Sequence, residues 1–171
     1  SGLSWFYPTD GLDEGDILLQ KEVDIGPDDT LGDIYFKKIF PLGIESVIEV
    51  LEMYRAGNLV RMQQDESKAT YESWCRKKDA EIDWSNLIRG TNPQPGAWTT
   101  VAGNEVKIYD VAKQDGGGTP GDVVSVGEDG VVVQADGGRI LVKRVRADGG
   151  KVPAAEWAAE AGIEAGQKFG A

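Results

Sequence analysis

The chain has 171 residues, 18 Lys and Arg against 29 Asp and Glu, no His, one Cys and a formal charge of −11. That length suits one domain or two small ones, and the acidity argues against a broad nucleic-acid surface, because phosphate binding needs clustered Lys and Arg. The lack of His excludes Ser-His-Asp and Cys-His catalysis and the commonest zinc ligand sets within this chain, so no metal site is expected; the lone Cys75 allows no internal disulfide and is compatible with a cytoplasmic location, and no run approaches the roughly 18 apolar residues of a membrane span, so no membrane partner is expected.

Taken in order, residues 4–9 read as a strand and residues 17–25 as a second one, with Leu18, Gln20, Glu22 and Asp24 alternating loosely against Leu19, Lys21, Val23 and Ile25. Between them lies a loop with four carboxylates, Asp10, Asp13, Glu14 and Asp16, and two glycines, Gly11 and Gly15. Loops held over a rigid sheet are where functional groups are usually mounted; the plainer reading of this one is a solvated acidic turn.

A helix follows. Asp28-Asp29-Thr30 supplies an N-cap, and Asp33 three residues later completes a capping-box-like pattern. Ile34, Ile39, Ile44, Val47, Ile48, Leu51 and Tyr54 then recur at helical spacing, which predicts a core-facing stripe, and Gly57 is a stop signal. Pro41 falls inside the run and predicts a kink or the meeting of two helices. Residues 58–83 are irregular and polar.

Two prolines and two glycines between Gly90 and Gly96 mark a boundary. Beyond it the pattern changes to short strands at Trp98 to Val101, Glu105 to Val111, Asp122 to Val126, Gly130 to Gln134 and Arg139 to Arg146, divided by glycine-containing turns. Five such strands suit a small open barrel of the oligonucleotide-fold type. Pro153 opens a short helix that Gly162 ends, and Trp157 on it is expected to pack on the barrel. Arg139, Lys143, Arg144, Arg146 and Lys151 form a basic cluster; strand alternation would send Lys143 and Arg144 to opposite faces, and acids lie nearby, so a mixed solvated surface is the favoured reading over an RNA contact.

The segment Thr9-Asp10-Gly11-Leu12-Asp13-Glu14-Gly15-Asp16-Ile17-Leu18-Leu19-Gln20-Lys21 resembles the active-site loop of the 10-formyltetrahydrofolate-dependent formyltransferases, and the match runs unbroken from Trp5. That family includes methionyl-tRNA formyltransferase, glycinamide ribonucleotide transformylase and the hydrolase domain of 10-formyltetrahydrofolate dehydrogenase. Gln63-Gln64-Asp65-Glu66-Ser67-Lys68-Ala69-Thr70-Tyr71 resembles the family's connecting segment, and Ile82-Asp83-Trp84-Ser85 with Asn86 to Trp98 resembles its interdomain hinge, shortened between Ser85 and Asn86.

The resemblance implies an α+β chain: residues 1–85 as the C-terminal part of a formyltransferase α/β domain, 86–98 as the hinge and 99–171 as the barrel. It implies Asp10 as a catalytic residue and Thr9, Asp10, Gly11, Leu12 and Asp13 as the contacts of the folate, with 10-formyltetrahydrofolate as formyl donor and no metal. Related enzymes add an Asn and a His upstream of the loop Asp, so this chain is expected to be the C-terminal portion of a longer enzyme. Water or a small amine is the acceptor that the acidic balance favours; initiator tRNA, as in methionyl-tRNA formyltransferase, is an alternative. A non-catalytic fragment or binding module is the reading from another class.

Overall fold

The computed structural model describes residues 1–82 and 87–170, and the chain divides into two compact units, Ser1–Trp74 and Cys75–Ala171. Part of the Ile82–Ser85 pattern and the shortened junction at Ser85-Asn86 lie outside the described residues.

The first unit is a hairpin with one helical run. Strand β1 (Gly2–Phe6) pairs antiparallel with β2 (Ile17–Glu22) in the register Gly2↔Glu22 to Trp5↔Leu19, with an irregularity at Trp5/Phe6. β1 begins two residues earlier than the sequence suggests and ends at Phe6, where the backbone leaves the ladder for the acidic loop; β2 starts at Ile17 as expected and stops at Glu22, opposite Gly2, where its partner strand begins. The helical run starts as expected at Thr30: its hydroxyl accepts the Asp33 N–H (3.1 Å), while the Asp33 carboxylate accepts the Thr30 N–H (3.1 Å). These reciprocal bonds satisfy donors that a helix start leaves open.

Helix α1 (Leu31–Asp33) continues as a π-helical stretch, Ile34–Ile39, and then as α2 (Phe40–Arg55). The interruption predicted at Pro41 is thus a change of winding and not a gap. Pro41 has no N–H to donate, and the wider turn just ahead of it, closed by Phe40 N–H on Tyr35 O, carries the chain past the missing bond. Gly57 ends the run at φ 70°, with its N–H on Tyr54 O (3.1 Å) and Asn58 N–H on Met53 O (3.1 Å). That pair of bonds satisfies the last open carbonyls of the helix, and the left-handed residue is one that glycine adopts without strain.

The apolar stripe does not form a core in this unit, contrary to the helical spacing. Ile34 is buried, but Ile44 and Ile48 are each 54 % exposed and Tyr54 is 70 % exposed. The reason is the number of layers: a two-stranded ribbon is too narrow to cover a helical run of this length. Lys21 on β2 reaches Glu49 on α2 (2.5 Å), which ties the helix to the hairpin.

The second unit is built on a six-stranded antiparallel sheet, β3 (Trp98–Val101), β4 (Asn104–Gln114), β5 (Val123–Gly127), β6 (Gly130–Ala135), β7 (Gly138–Arg146) and β8 (Val152–Pro153), in the order β3-β4-β7-β6-β5 with β8 on β7. The mixed helix and sheet content of the fold class is as expected; β8 is a sixth strand, too short to leave an alternating signature. The C-terminal segment bridges both ends of the strand order. Phe169 N–H donates to Gly121 O (2.8 Å), next to β5, and Gly170 N–H donates to Thr100 O (2.7 Å) on β3.

Val106, Ile108, Val131, Val133, Val142 and Val145 make the core, capped by α4 (Ala154–Ala161). Trp157 of α4 is buried and meets the Phe169 ring edge-on at 6.1 Å, so it packs on the sheet as its position in the sequence suggests. Gly162 stops the helix at φ 65°. The stretch expected as a hinge holds a short helix, α3 (Leu87–Thr91), with Ile88, Thr91, Asn92 and Ala97 buried in this same unit.

Candidate active site

The acidic loop is tied at both limbs. Tyr7 N–H donates to Asp16 O (2.9 Å), closing the loop across its base, and Ile17 and Met62 exchange both backbone bonds at 2.8 Å. Gly15 is buried directly against Tyr7: a Cβ there would stand 1.7 Å from the Tyr7 carbonyl oxygen, so only glycine fits. This close approach gives the second loop glycine a physical role that the sequence alone did not assign.

Above that base, Thr9, Asp10, Gly11, Leu12 and Asp13 are all exposed, and Leu12 keeps 83 % of its surface open. Asp13 takes φ 55°, a left-handed conformation that costs an L-residue energy and that Asp tolerates better than most. The Thr9 hydroxyl lies 3.5 Å from a Glu14 carboxylate oxygen, a long contact that folds Glu14 back over Gly11. The five residues singled out in the sequence therefore sit together on one loop tip, with the Asp10 carboxylate open to solvent.

Two further groups at this site carry no motif signal. The Gln64 side-chain amide donates to Asp13 O (2.6 Å) and to Gly15 O (2.7 Å), from about fifty residues along the chain. The Arg61 guanidinium lies over the Tyr7 ring, 4.1 Å from its centroid, a cation–π contact beside the loop base. Gln64 belongs to the segment that resembles the family's connecting segment, and that resemblance was the one available pointer to it. Among the described residues, no group of three or more His, Cys, Asp and Glu is placed to hold a metal ion, and no helix is long and apolar enough to cross a membrane.

In the second unit the basic cluster is partly engaged. Lys143 and Arg144 are both exposed between the buried Val142 and Val145, so burial departs from strict alternation here, beside Asp110 at φ 47° on the neighbouring strand. Arg144 Nε is 3.7 Å from Asp110, the Lys151 ammonium stands 3.7 Å from the Tyr109 ring centroid, and Arg139 Nε donates to the buried Gln134 (3.3 Å).

The first unit thus carries an exposed acid-bearing loop between paired strands and the second an antiparallel sheet, and comparison with known proteins gives the class. Residues 75–162 match the family described as Formyl transferase, C-terminal domain, and the chain belongs to that family as a C-terminal portion of a formyltransferase. It is 34 % identical to methionyl-tRNA formyltransferase of Geobacter sulfurreducens over 99 % of this chain and 56 % of that protein. It is 33 % identical to the cytosolic 10-formyltetrahydrofolate dehydrogenase of Xenopus tropicalis over 91 % of this chain and 19 % of that one. HypX from Aquifex aeolicus, solved in complex with tetrahydrofolic acid, shares the fold with a TM-score of 0.73 at 20 % identity, covering 93 % of this chain and 30 % of HypX. The chain spans about half the length of the methionyl-tRNA formyltransferases it matches.

Proposed function

We propose that this chain is the loop-bearing C-terminal portion of an enzyme that moves the formyl group of 10-formyltetrahydrofolate to water or a small amine. The observation that carries the proposal is the anchored loop: in a chain of the formyltransferase family, Asp10 stands exposed on a tip whose base is closed by Tyr7 and Asp16. Formyl transfer is acyl transfer, in which a nucleophile attacks the formyl carbon, donors hold the oxyanion, and the leaving folate amine takes a proton. Asp10 orients the imidazole or water that moves that proton, and Thr9, Gly11, Leu12 and Asp13 form one wall of the folate site. With no His in its 171 residues, the chain relies on a histidine and an oxyanion donor from further polypeptide. The exposed apolar face of α2 supports the same conclusion, since further layers of an α/β domain would cover Ile44, Ile48 and Leu51.

The domain proposal is that residues 1–85 complete a catalytic domain, 86–98 form the hinge, packed into the second unit through Ile88 and Ala97, and 99–171 form an open barrel of the oligonucleotide-fold type, supported by the C-terminal segment that bridges β3 and the entry to β5. A cytoplasmic location accords with folate chemistry and a single Cys. Transfer to an initiator tRNA is a second reading, favoured by the methionyl-tRNA formyltransferase relatives and by Lys143 and Arg144 facing solvent together. The net charge of −11 weighs against it.

The test uses the full-length protein with 10-formyltetrahydrofolate and, in separate reactions, water, small amines or charged initiator tRNA. Asp10→Ala is expected to lower formyl transfer or hydrolysis by about two orders of magnitude. Near-normal turnover in that variant refutes the assignment, and the acceptor that sustains turnover in the parent decides between the two readings.

A further inference from the structure

We infer that Gln64 is a positioning residue that locks the Thr9–Asp16 loop in the shape that presents Asp10; its effect on turnover rests on the formyl-transfer reading, while its geometry does not. Both protons of the Gln64 amide are committed, one to Asp13 O (2.6 Å) and one to Gly15 O (2.7 Å). These carbonyls flank Glu14, so one side chain fixes the whole returning limb of the loop. The clamp acts where it is needed, because Asp13 holds an unfavourable φ of 55° and the Thr9–Glu14 contact at 3.5 Å is too long to hold it.

Gln64 is itself set between two fixed points. Two residues before it, Met62 is paired with Ile17 in both directions, and directly after it Asp65 caps the turn Glu66–Lys68 by accepting the Ser67 N–H (3.2 Å) and hydroxyl (2.6 Å). The chemistry of the position is narrow. A carboxylate of the same shape only accepts and would face two carbonyl oxygens, and an apolar side chain would leave both carbonyls without their donor.

The experiment compares the parent chain with Gln64→Glu and Gln64→Leu. Both variants are expected to raise the rate of glutamate-specific proteolysis after Glu14 by about tenfold, since loop opening governs cleavage. In the full-length protein both are expected to lower kcat by about tenfold, the mark of a misplaced catalytic group, and to raise KM for the formyl donor by a smaller factor, because the same loop also walls the folate site. Unchanged cleavage in both variants overturns the clamp. Faster cleavage with unchanged kcat overturns the positioning role. A parent protein that neither transfers nor hydrolyses formyl groups removes the proposed function, and the positioning role with it, while the cleavage result still judges the clamp.

Discussion

In Gly15→Ala the added methyl group meets the Tyr7 carbonyl oxygen at 1.7 Å and its carbon at 2.9 Å, so the two backbones must part by more than about 1 Å to restore contact distance. Neither side is free to yield. Tyr7 N–H is bonded to Asp16 O (2.9 Å), the Gly15 carbonyl holds the Gln64 amide (2.7 Å), and Ile17 is bonded twice to Met62 (2.8 Å). Parting the limbs stretches the first two of these bonds beyond useful length, at about 1 kcal/mol each, and residual overpacking adds about 1 kcal/mol more. The first unit is therefore expected to lose about 3 kcal/mol, a factor of about 150 in its unfolding equilibrium. Gly57→Ala is the control: Gly57 sits at φ 70° with nothing within 4 Å of a Cβ, so it carries only the left-handed penalty of about 1 kcal/mol. Hydrogen exchange of the α2 and β2 amides across a urea series reads the first unit separately from the second. A Gly15→Ala chain whose first unit unfolds at the same urea concentration as Gly57→Ala, or higher, would show that the loop base is not closed as described.

Acidification is expected to loosen the start of the helical run. The Lys37 ion pair, followed by the Thr30 hydroxyl and N–H, holds the Asp33 carboxyl well below its ordinary 3.8, and the Lys38 bond with the Gly26 N–H lowers Asp29. A lowered folded-state value stabilises fully above 3.8 and loses that contribution as pH falls below it, so far-UV dichroism should decline in that window, and less steeply in Asp33→Asn. Gly130→Ala should cost the second unit about 3 kcal/mol in urea unfolding, since φ is 134° and the new Cβ would lie 2.0 Å from the Val142 carbonyl oxygen. Trp157→Ala empties the contact with Phe169 beneath α4 and is expected to cost about 3–5 kcal/mol by the same measurement, with the first unit's amide exchange unaffected.

Local signals in the sequence determined the parts of this protein that local chemistry governs. Thr30 and Asp33 specify a helix start because their partners lie within one turn, Gly57 and Gly162 specify helix ends because only the left-handed conformation closes them cheaply, and the glycine-bounded strands of the second half keep nearly the bounds the sequence assigns, except β4, which runs on to Gln114. The loop motif from Thr9 to Asp16 was legible for the same reason, as a contiguous run of residue types.

Tertiary structure alone decided what depends on residues distant in sequence. Helical spacing marks which side of α2 is apolar, but burial depends on a second layer, and a two-stranded hairpin leaves Ile48 and Tyr54 open. The π-helical winding ahead of Pro41 and the departure from alternation at Lys143 and Arg144 arise from backbone adjustments that no spacing rule encodes. Gly15 and Gln64 acquire their roles only when Tyr7 and the 62–64 segment arrive beside the loop. Capping and turn energies are fixed within a few residues, whereas burial, close backbone approach and long-range side-chain bonds exist only after the chain has folded back on itself.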